Sequence, residues 1–111
     1  MSNLKHYKMF INGEWVESES KKTFETLNPE NNKPWAVVPE ASTKDVDKAV
    51  KAAQTAFEGA WPKLLPRERA KFLRAIGEKL RENAELLGKI ETIDTGKLFR
   101  ETNKQANYIA E

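Results

Sequence analysis

The chain has 111 residues, of which 39% are hydrophobic and 32% are charged. This length suits one domain of ordinary size, and the apolar content is modest but too high for a disordered chain. The 19 basic and 17 acidic residues are mixed along the chain and leave a net charge of +2, which argues against a nucleic-acid partner. Because no apolar run approaches the roughly 18 to 20 residues of a membrane span and the start is polar, we expect no membrane partner.

The chain contains no cysteine and one histidine, His6. Without cysteine these residues hold neither a disulfide nor a thiol nucleophile, and a cytoplasmic location is the default expectation. No His and Cys cluster predicts a zinc site, and no glycine-rich phosphate loop or nucleophile elbow occurs. We therefore assign no catalytic residue and no cofactor-binding residue to this chain.

The first forty residues predict strands and turns. Asn12-Gly13 is a strong hairpin signal because both positions of its turn favour positive φ, and Asn28-Pro29 begins a second turn. The pattern predicts two small β-hairpins over residues 7–39. Their predicted strands are Tyr7–Ile11, Glu14–Val16, Thr23–Leu27 and Trp35–Val38.

From Ser42 onward the periodicity is that of helices. Ser42 and Asp45 have the spacing of a capping box, and Pro66 suits the first turn of a second helix. Asn83 is expected to end that helix and to cap a third, which Gly96 ends in a left-handed conformation. The pattern predicts helices over residues 43–111 with one apolar face each. The faces are formed by Val46, Ala49, Val50, Ala53 and Phe57; by Ala70, Leu73, Ile76 and Leu80; and by Leu86, Leu87, Ile90 and Ile93.

The last fifteen residues, 97–111, predict a fourth helix. Phe99, Ala106 and Ile109 lie near helical spacing, and no Gly, Pro or basic last turn marks an end. We therefore expect that this helix continues beyond the chain, and that the 111 residues form an incomplete part of a larger domain.

Residues 91–97 contain the most suggestive charge pattern. Asp94 falls at the C-terminal end of a predicted helix, where the macrodipole disfavours a negative charge. Compensation can come from Lys97 or from a bound cation. The periodicity alone favours a surface aspartate beside Lys97.

Four patches, in order and in register, resemble the N-terminal segment of the NAD(P)-dependent aldehyde dehydrogenase superfamily. The resemblance covers essentially the whole chain. The patches are residues 10–16 (FINGEWV), 24–29 (FETLNP) with 38–41 (VPEA), 45–57 with Trp61, and Arg69-Ala70, Leu73 and Ile76 with Glu91-Thr92 and Asp94–Lys97.

The resemblance implies an α/β parent fold, of which this chain is the mainly helical lead-in to the dinucleotide-binding domain. It implies oxidation of an aldehyde to a carboxylic acid with NAD or NADP, through a cysteine nucleophile and a glutamate base. In such enzymes those residues and the oligomerisation strands come after the part that matches this chain. A homo-oligomer is expected, and the fragment alone is expected to be inactive.

The resemblance also implies one binding site within these residues. Many members of the superfamily bind a monovalent cation, K⁺ or Na⁺, through oxygen ligands that suit a hard ion. Carried over residue by residue, the ligands would be the backbone carbonyls of Thr26 and Leu27 and the carboxylate of Asp94.

A different interpretation is a non-catalytic, small helical module for interaction or oligomerisation. The two interpretations predict different amounts of exposed apolar surface. A fragment exposes the apolar faces that carry Phe57, Leu73 and Ile93 unless it self-associates, because large apolar patches are rarely open in monomers. An adapted module is expected to be a stable monomer or a closed dimer.

Overall fold

The computed structural model describes residues 4–111. They form two compact units. The first unit comprises residues 4–27 and 34–63, and the second comprises residues 28–33 and 64–111.

The strands belong mostly to the first unit. They are β1 (Lys5–His6), β2 (Met9–Ile11), β3 (Glu14–Val16), β4 (Thr23–Asn28) and β5 (Lys33–Pro39). Strands β2 and β3 pair as an antiparallel hairpin around Asn12-Gly13, whose φ angles of 54° and 81° confirm the predicted turn. In the other sheet the order is β1-β5-β4.

Strand β1 was not among the predicted strands. Lys5 and His6 pair in parallel with Ala36 and Val37 of β5, and the backbone N–H of Tyr7 donates to the carbonyl of Val37 over 2.9 Å. Because this pairing joins residues about thirty positions apart, two polar residues carry no local signal of it. The second predicted hairpin is therefore part of a three-stranded sheet.

Helix α1 (Thr43–Glu58) begins at the predicted capping box, and a 3₁₀ turn (Trp61–Lys63) follows it. The Ser42 hydroxyl accepts a bond from the Asp45 N–H over 3.3 Å, and the Asp45 carboxylate accepts one from the Ser42 N–H over 2.8 Å. The carboxylate accepts further bonds from the Ser18 hydroxyl, at 2.8 Å, and from the Glu19 N–H. Asp45 thus ties the loop at residues 18–22 to the start of α1.

The second unit contains α2 (Pro66–Glu82), α3 (Ala84–Thr95) and α4 (Phe99–Ile109). Pro66 occupies the first turn of α2 as predicted. The Asn83 side chain donates to the Lys79 carbonyl at the end of α2, but it makes no capping bond to α3. Asn83 is nevertheless the N-cap residue of α3, as predicted, and its backbone carbonyl accepts a bond from the Leu87 N–H over 2.9 Å.

Helices α3 and α4 approach each other closely at Gly88. A Cβ atom at Gly88 would lie 3.0 Å from both the Cα and the backbone N of Asn103. Beside this point Thr102 is completely buried, and its hydroxyl donates to the Gly88 carbonyl over 2.9 Å. The hydroxyls of Thr92 and Thr102 are 3.0 Å apart. A glycine and two threonines therefore lie where the two backbones approach most closely, beside the ring of Phe99.

Most of the large apolar side chains remain exposed. The exposed fractions of Phe57, Leu73 and Ile93 are 68%, 66% and 36%. Among residues 4–111, the only buried hydrophobic residues are Ala36, Val37 and Ala84. These three side chains are thus exposed in the single chain, and whether self-association covers them stays a prediction.

Across residues 4–111, no helix combines the length and the apolar character that crossing a bilayer requires.

Candidate functional site

Two of the three predicted cation ligands lie in the first unit. Thr26 and Leu27 occupy the last part of β4, directly before the turn that starts at Asn28. Thr26 is half-buried and the Leu27 side chain is exposed. The predicted contribution of both residues is the backbone carbonyl oxygen, so the exposure of the Leu27 side chain does not bear on it.

Asp94 lies in the second unit, in the last turn of α3, and is exposed. Gly96 follows in the left-handed conformation, with φ of 76°, and its N–H donates to the Thr92 carbonyl. The ammonium of Lys97 lies 2.6 Å from a carboxylate oxygen of Glu91. The C-terminal end of α3 thus carries two carboxylates, and the structure gives Lys97 an ion pair with Glu91.

The turn at residues 28–33 belongs to the second unit together with the end of α3. A Cβ at Gly96 would be 3.0 Å from Cγ of Pro29. A side chain at this position would therefore strike the proline in addition to straining the left-handed backbone. This close approach explains why a glycine suits the position.

The cation site of Thr26, Leu27 and Asp94 stays a prediction.

The described residues contain no group of three His, Cys, Asp or Glu side chains able to hold a metal ion. The whole chain contains no cysteine. A thiol nucleophile, on which the predicted chemistry depends, is therefore not supplied by these 111 residues.

The most highly connected polar group in the first unit is Asp45, which is 3% exposed. The hydrogen bond from the Ser42 N–H contributes most to holding the pKa of this carboxyl well below its usual value, and bonds from Ser18 and Glu19 add to the effect. The capping-box spacing predicted its bond to Ser42. The contacts with the loop were missed, because nothing local relates residues 18 and 45.

A cavity of about 180 Å³ was also missed. It lies in the first unit, beside the same loop, and its lining includes Tyr7 and three lysines. The only sequence signal was the pair Lys21-Lys22 in a polar loop, which is equally typical of an ordinary solvated turn.

Comparisons with known proteins agree with this architecture. The model of the aldehyde dehydrogenase family matches residues 15–111. An aldehyde dehydrogenase from Aspergillus niger is 47% identical over 89 residues, which cover 80% of this chain and 18% of that protein. Because the family match spans most of the chain, the protein belongs to the aldehyde dehydrogenase family.

Solved structures have the same fold. The NAD-dependent aldehyde dehydrogenase of Sinorhizobium meliloti superposes with a TM-score of 0.92 at 29% identity, over 96% of this chain and 22% of that one. Betaine aldehyde dehydrogenase of Staphylococcus aureus in complex with NAD⁺ superposes with a TM-score of 0.90 at 37% identity, over 97% and 22% of the two chains. This chain therefore spans about a fifth of the length of these relatives.

Proposed function

We propose that this chain is the N-terminal part of the dinucleotide-binding domain of an NAD(P)-dependent aldehyde dehydrogenase. The complete enzyme would oxidise an aldehyde to a carboxylic acid through a cysteine supplied by another part of the protein. The family match over residues 15–111 carries this proposal. The bound NAD⁺ of the Staphylococcus aureus relative supports the choice of cofactor.

The role of this chain in such an enzyme is structural. Its helices present large apolar side chains that its own residues leave uncovered, among them Phe57, Leu73 and Ile93. Such surfaces are typical of contacts within a larger assembly. We propose that the remainder of the dehydrogenase covers them. A homo-oligomeric assembly and a cytoplasmic location are further parts of this proposal.

The proposal is tested by measuring reduction of NAD⁺ and of NADP⁺ in the presence of a panel of aldehydes. The complete protein that carries this segment is compared with the 111-residue chain. We expect reduction by the complete protein and none by the chain alone. Failure of the complete protein, correctly folded, to reduce either nucleotide with any aldehyde would contradict the proposal.

A non-catalytic helical module is the second candidate, because the same exposed apolar faces could be buried by self-association. Analytical ultracentrifugation of the chain distinguishes the two. We expect the isolated chain to form polydisperse associations, since its exposed faces would have lost their partner. A single closed dimer that buries Phe57 and Leu73 would favour the module instead.

We also propose the monovalent cation site at Thr26, Leu27 and Asp94. A cation would compensate the Asp94 carboxylate at the end of α3. In the complete protein, replacing choline with K⁺ at equal ionic strength is expected to raise the melting temperature. The Asp94→Asn variant should lose this K⁺-dependent increase, whereas Asp47→Asn, at an exposed position of α1, should retain it. An increase of the same size in wild type and Asp94→Asn would contradict the site.

A further inference from the structure

The tip of the β2–β3 hairpin carries the only asparagine of this chain that is followed by a glycine, Asn12-Gly13. Both residues are exposed. A Cβ atom built at Gly13 would meet no other atom within 4 Å. The space around Gly13 is therefore open, and the residue has no side chain that could shield its own backbone nitrogen.

The side-chain amide of Asn12 and the backbone nitrogen of Gly13 are both unengaged. Within residues 4–111, the Asn12 side chain makes no hydrogen bond, and the Gly13 N–H donates to no acceptor. No bond in this part of the chain therefore holds the amide away from the neighbouring nitrogen or occupies that nitrogen.

Asn32, in the turn between β4 and β5, provides a contrast. It is also exposed, and its φ of 55° is close to the 54° of Asn12. The next residue is Lys33, whose N–H donates to the side-chain oxygen of Asn31 over 3.0 Å. The backbone nitrogen after Asn32 is thus engaged and carries a residue with a long side chain, whereas the nitrogen after Asn12 is free of both.

The reaction open to Asn12-Gly13 is an intramolecular cyclisation, which proximity favours. The Gly13 nitrogen attacks Cγ of Asn12 and gives its proton to solvent, while the side-chain nitrogen takes up a proton and leaves as ammonia. The new N–Cγ bond closes a succinimide ring. Water then opens the ring at Cγ, which gives aspartate, or at the main-chain carbonyl carbon, which gives isoaspartate. No atom is oxidised or reduced.

The hairpin itself opposes this cyclisation. Both turn residues have a positive φ, 54° and 81°, and ring closure requires the peptide plane between them to rotate out of the turn. Strands β2 and β3 have three residues each, and among residues 4–111 they pair only with each other. An isolated two-stranded hairpin is marginally stable, and elements with few buried contacts open locally at low cost. Opening of the hairpin therefore controls the reaction.

We propose that Asn12 is a site of spontaneous deamidation, reached through opening of the β2–β3 hairpin. Isoaspartate would lengthen the backbone of the two-residue turn by one carbon and add a negative charge. The cross-strand pair of Phe10 and Trp15 beside the turn, with ring centroids 4.9 Å apart, would then lose its register. The site uses no residue of the proposed dehydrogenase chemistry or of the predicted cation site.

The test incubates the complete protein that carries this chain in mildly alkaline buffer. Mass spectrometry with electron-transfer fragmentation measures aspartate and isoaspartate at each asparagine over time. We expect Asn12 to react at least about tenfold faster than Asn32, which corresponds to about 1.4 kcal/mol in the barrier. Equal rates at the two residues would overturn the proposal, as would a lack of product at Asn12 under conditions in which the urea-unfolded protein forms it.

A variant tests the opening of the hairpin. Phe10→Ala removes the ring that packs on Trp15, and we expect deamidation at Asn12 to become about twofold to fivefold faster, which corresponds to the roughly 0.5 to 1 kcal/mol of a cross-strand aromatic pair. The matched control is Phe24→Ala, which removes an exposed ring from β4, outside the hairpin, and should leave the rate unchanged. Equal rates in wild type and a folded Phe10→Ala protein would overturn hairpin opening as the route.

The Asn12→Asp variant separates the added charge from the lengthened backbone, because it has the charge of the product on a normal main chain. Hydrogen exchange of the β2 and β3 amides is compared in fresh protein, in Asn12→Asp and in aged protein that contains isoaspartate. We expect fast exchange in the aged protein alone. Exchange at the fresh-protein rate in the isoaspartate form would overturn the proposed effect on the hairpin.

Discussion

Each of the two units is stabilised internally by a different kind of contact. In the first unit a buried carboxylate, Asp45, gathers donors from a distant loop and from its own helix start. In the second unit two helices meet at a glycine, Gly88, and share the buried hydroxyl of Thr102. Neither unit buries many large apolar side chains. A segment that leaves its apolar faces uncovered can therefore still define its local structure, through polar bonds in one unit and close backbone contact in the other.

The largest loss of stability is expected from a substitution of Asp45, because this carboxylate accepts hydrogen bonds from several partners. Asp45→Asn keeps the shape of the side chain, but it removes the charge and turns an amide toward the donors of Ser18, Ser42 and Glu19. Hydrogen bonds to a charged acceptor are about twice as strong as neutral ones, so we expect the greatest loss of stability among these variants. Chemical unfolding followed by circular dichroism measures this loss of stability. Asp47→Asn, exposed on the same helix, is the control and should unfold at nearly the wild-type denaturant concentration.

The close contact between α3 and α4 in the second unit is tested by placing a larger residue at Gly88. Gly88→Val would place side-chain carbons against the Asn103 backbone, where even a Cβ has only 3.0 Å. Overpacking of this kind costs about 3 kcal/mol. The matched control is Lys89→Val, the neighbouring exposed residue of α3, which changes helix propensity and one surface ion pair and should cost about 1 kcal/mol or less. Equal losses of unfolding free energy in the two variants would show that the close approach is unimportant.

Removing the shared hydroxyl is a milder test of the same contact. Thr102→Val keeps the volume and takes away the donor to the Gly88 carbonyl, so we expect a loss of about 1 to 2 kcal/mol. Thr95→Val removes an exposed hydroxyl that bonds to the Glu91 carbonyl and should change the unfolding free energy by about 0.5 kcal/mol or less. Denaturant titration of both variants checks the difference, and a greater loss in Thr95→Val would contradict the role given to Thr102.

The buried carboxylate of Asp45, which has no counterpart among the described residues of the second unit, also predicts that stability depends on pH. Because the folded-state pKa of Asp45 is well below its ordinary value of 3.8, its stabilisation is complete above about pH 5 and is lost as the pH falls toward the folded-state pKa. Unfolding midpoints measured from neutral to acidic pH should decline less steeply for Asp45→Asn than for wild type. Asp47→Asn should follow the wild-type slope, and parallel slopes for Asp45→Asn and wild type would exclude Asp45 as the source.

The local signals in the sequence predicted most of this fold. Asn12-Gly13, the capping box of Ser42 and Asp45, Pro66, and the left-handed Gly96 all act within a few residues, and the structure confirms each one. The missed features connect distant parts of the chain. Strand β1 depends on β5, the Ser18 contact depends on Asp45, and the burial of Thr102 depends on how closely α3 approaches α4.

The candidate sites show the same difference between features that the sequence predicts and features that depend on distant parts of the chain. A resemblance to a family could name Thr26, Leu27 and Asp94, because those positions lie in motifs that can be aligned. The cavity beside Tyr7 depends on three separate segments of the first unit coming together, and no periodicity or spacing encodes that. The periodicity of the helices predicted which face of each helix is apolar, but it could not predict what covers that face, and many of these side chains are exposed in this chain.

The most direct test of the proposed dehydrogenase is the nucleotide sequence that follows the codon for Glu111 in the gene. We predict that the reading frame continues into a region with a cysteine and the remainder of a dinucleotide-binding sheet, so that the exposed faces of α1 and α2 have a partner in the same polypeptide. A stop codon directly after Glu111 would contradict the proposed dehydrogenase for this gene product and would favour the helical interaction module.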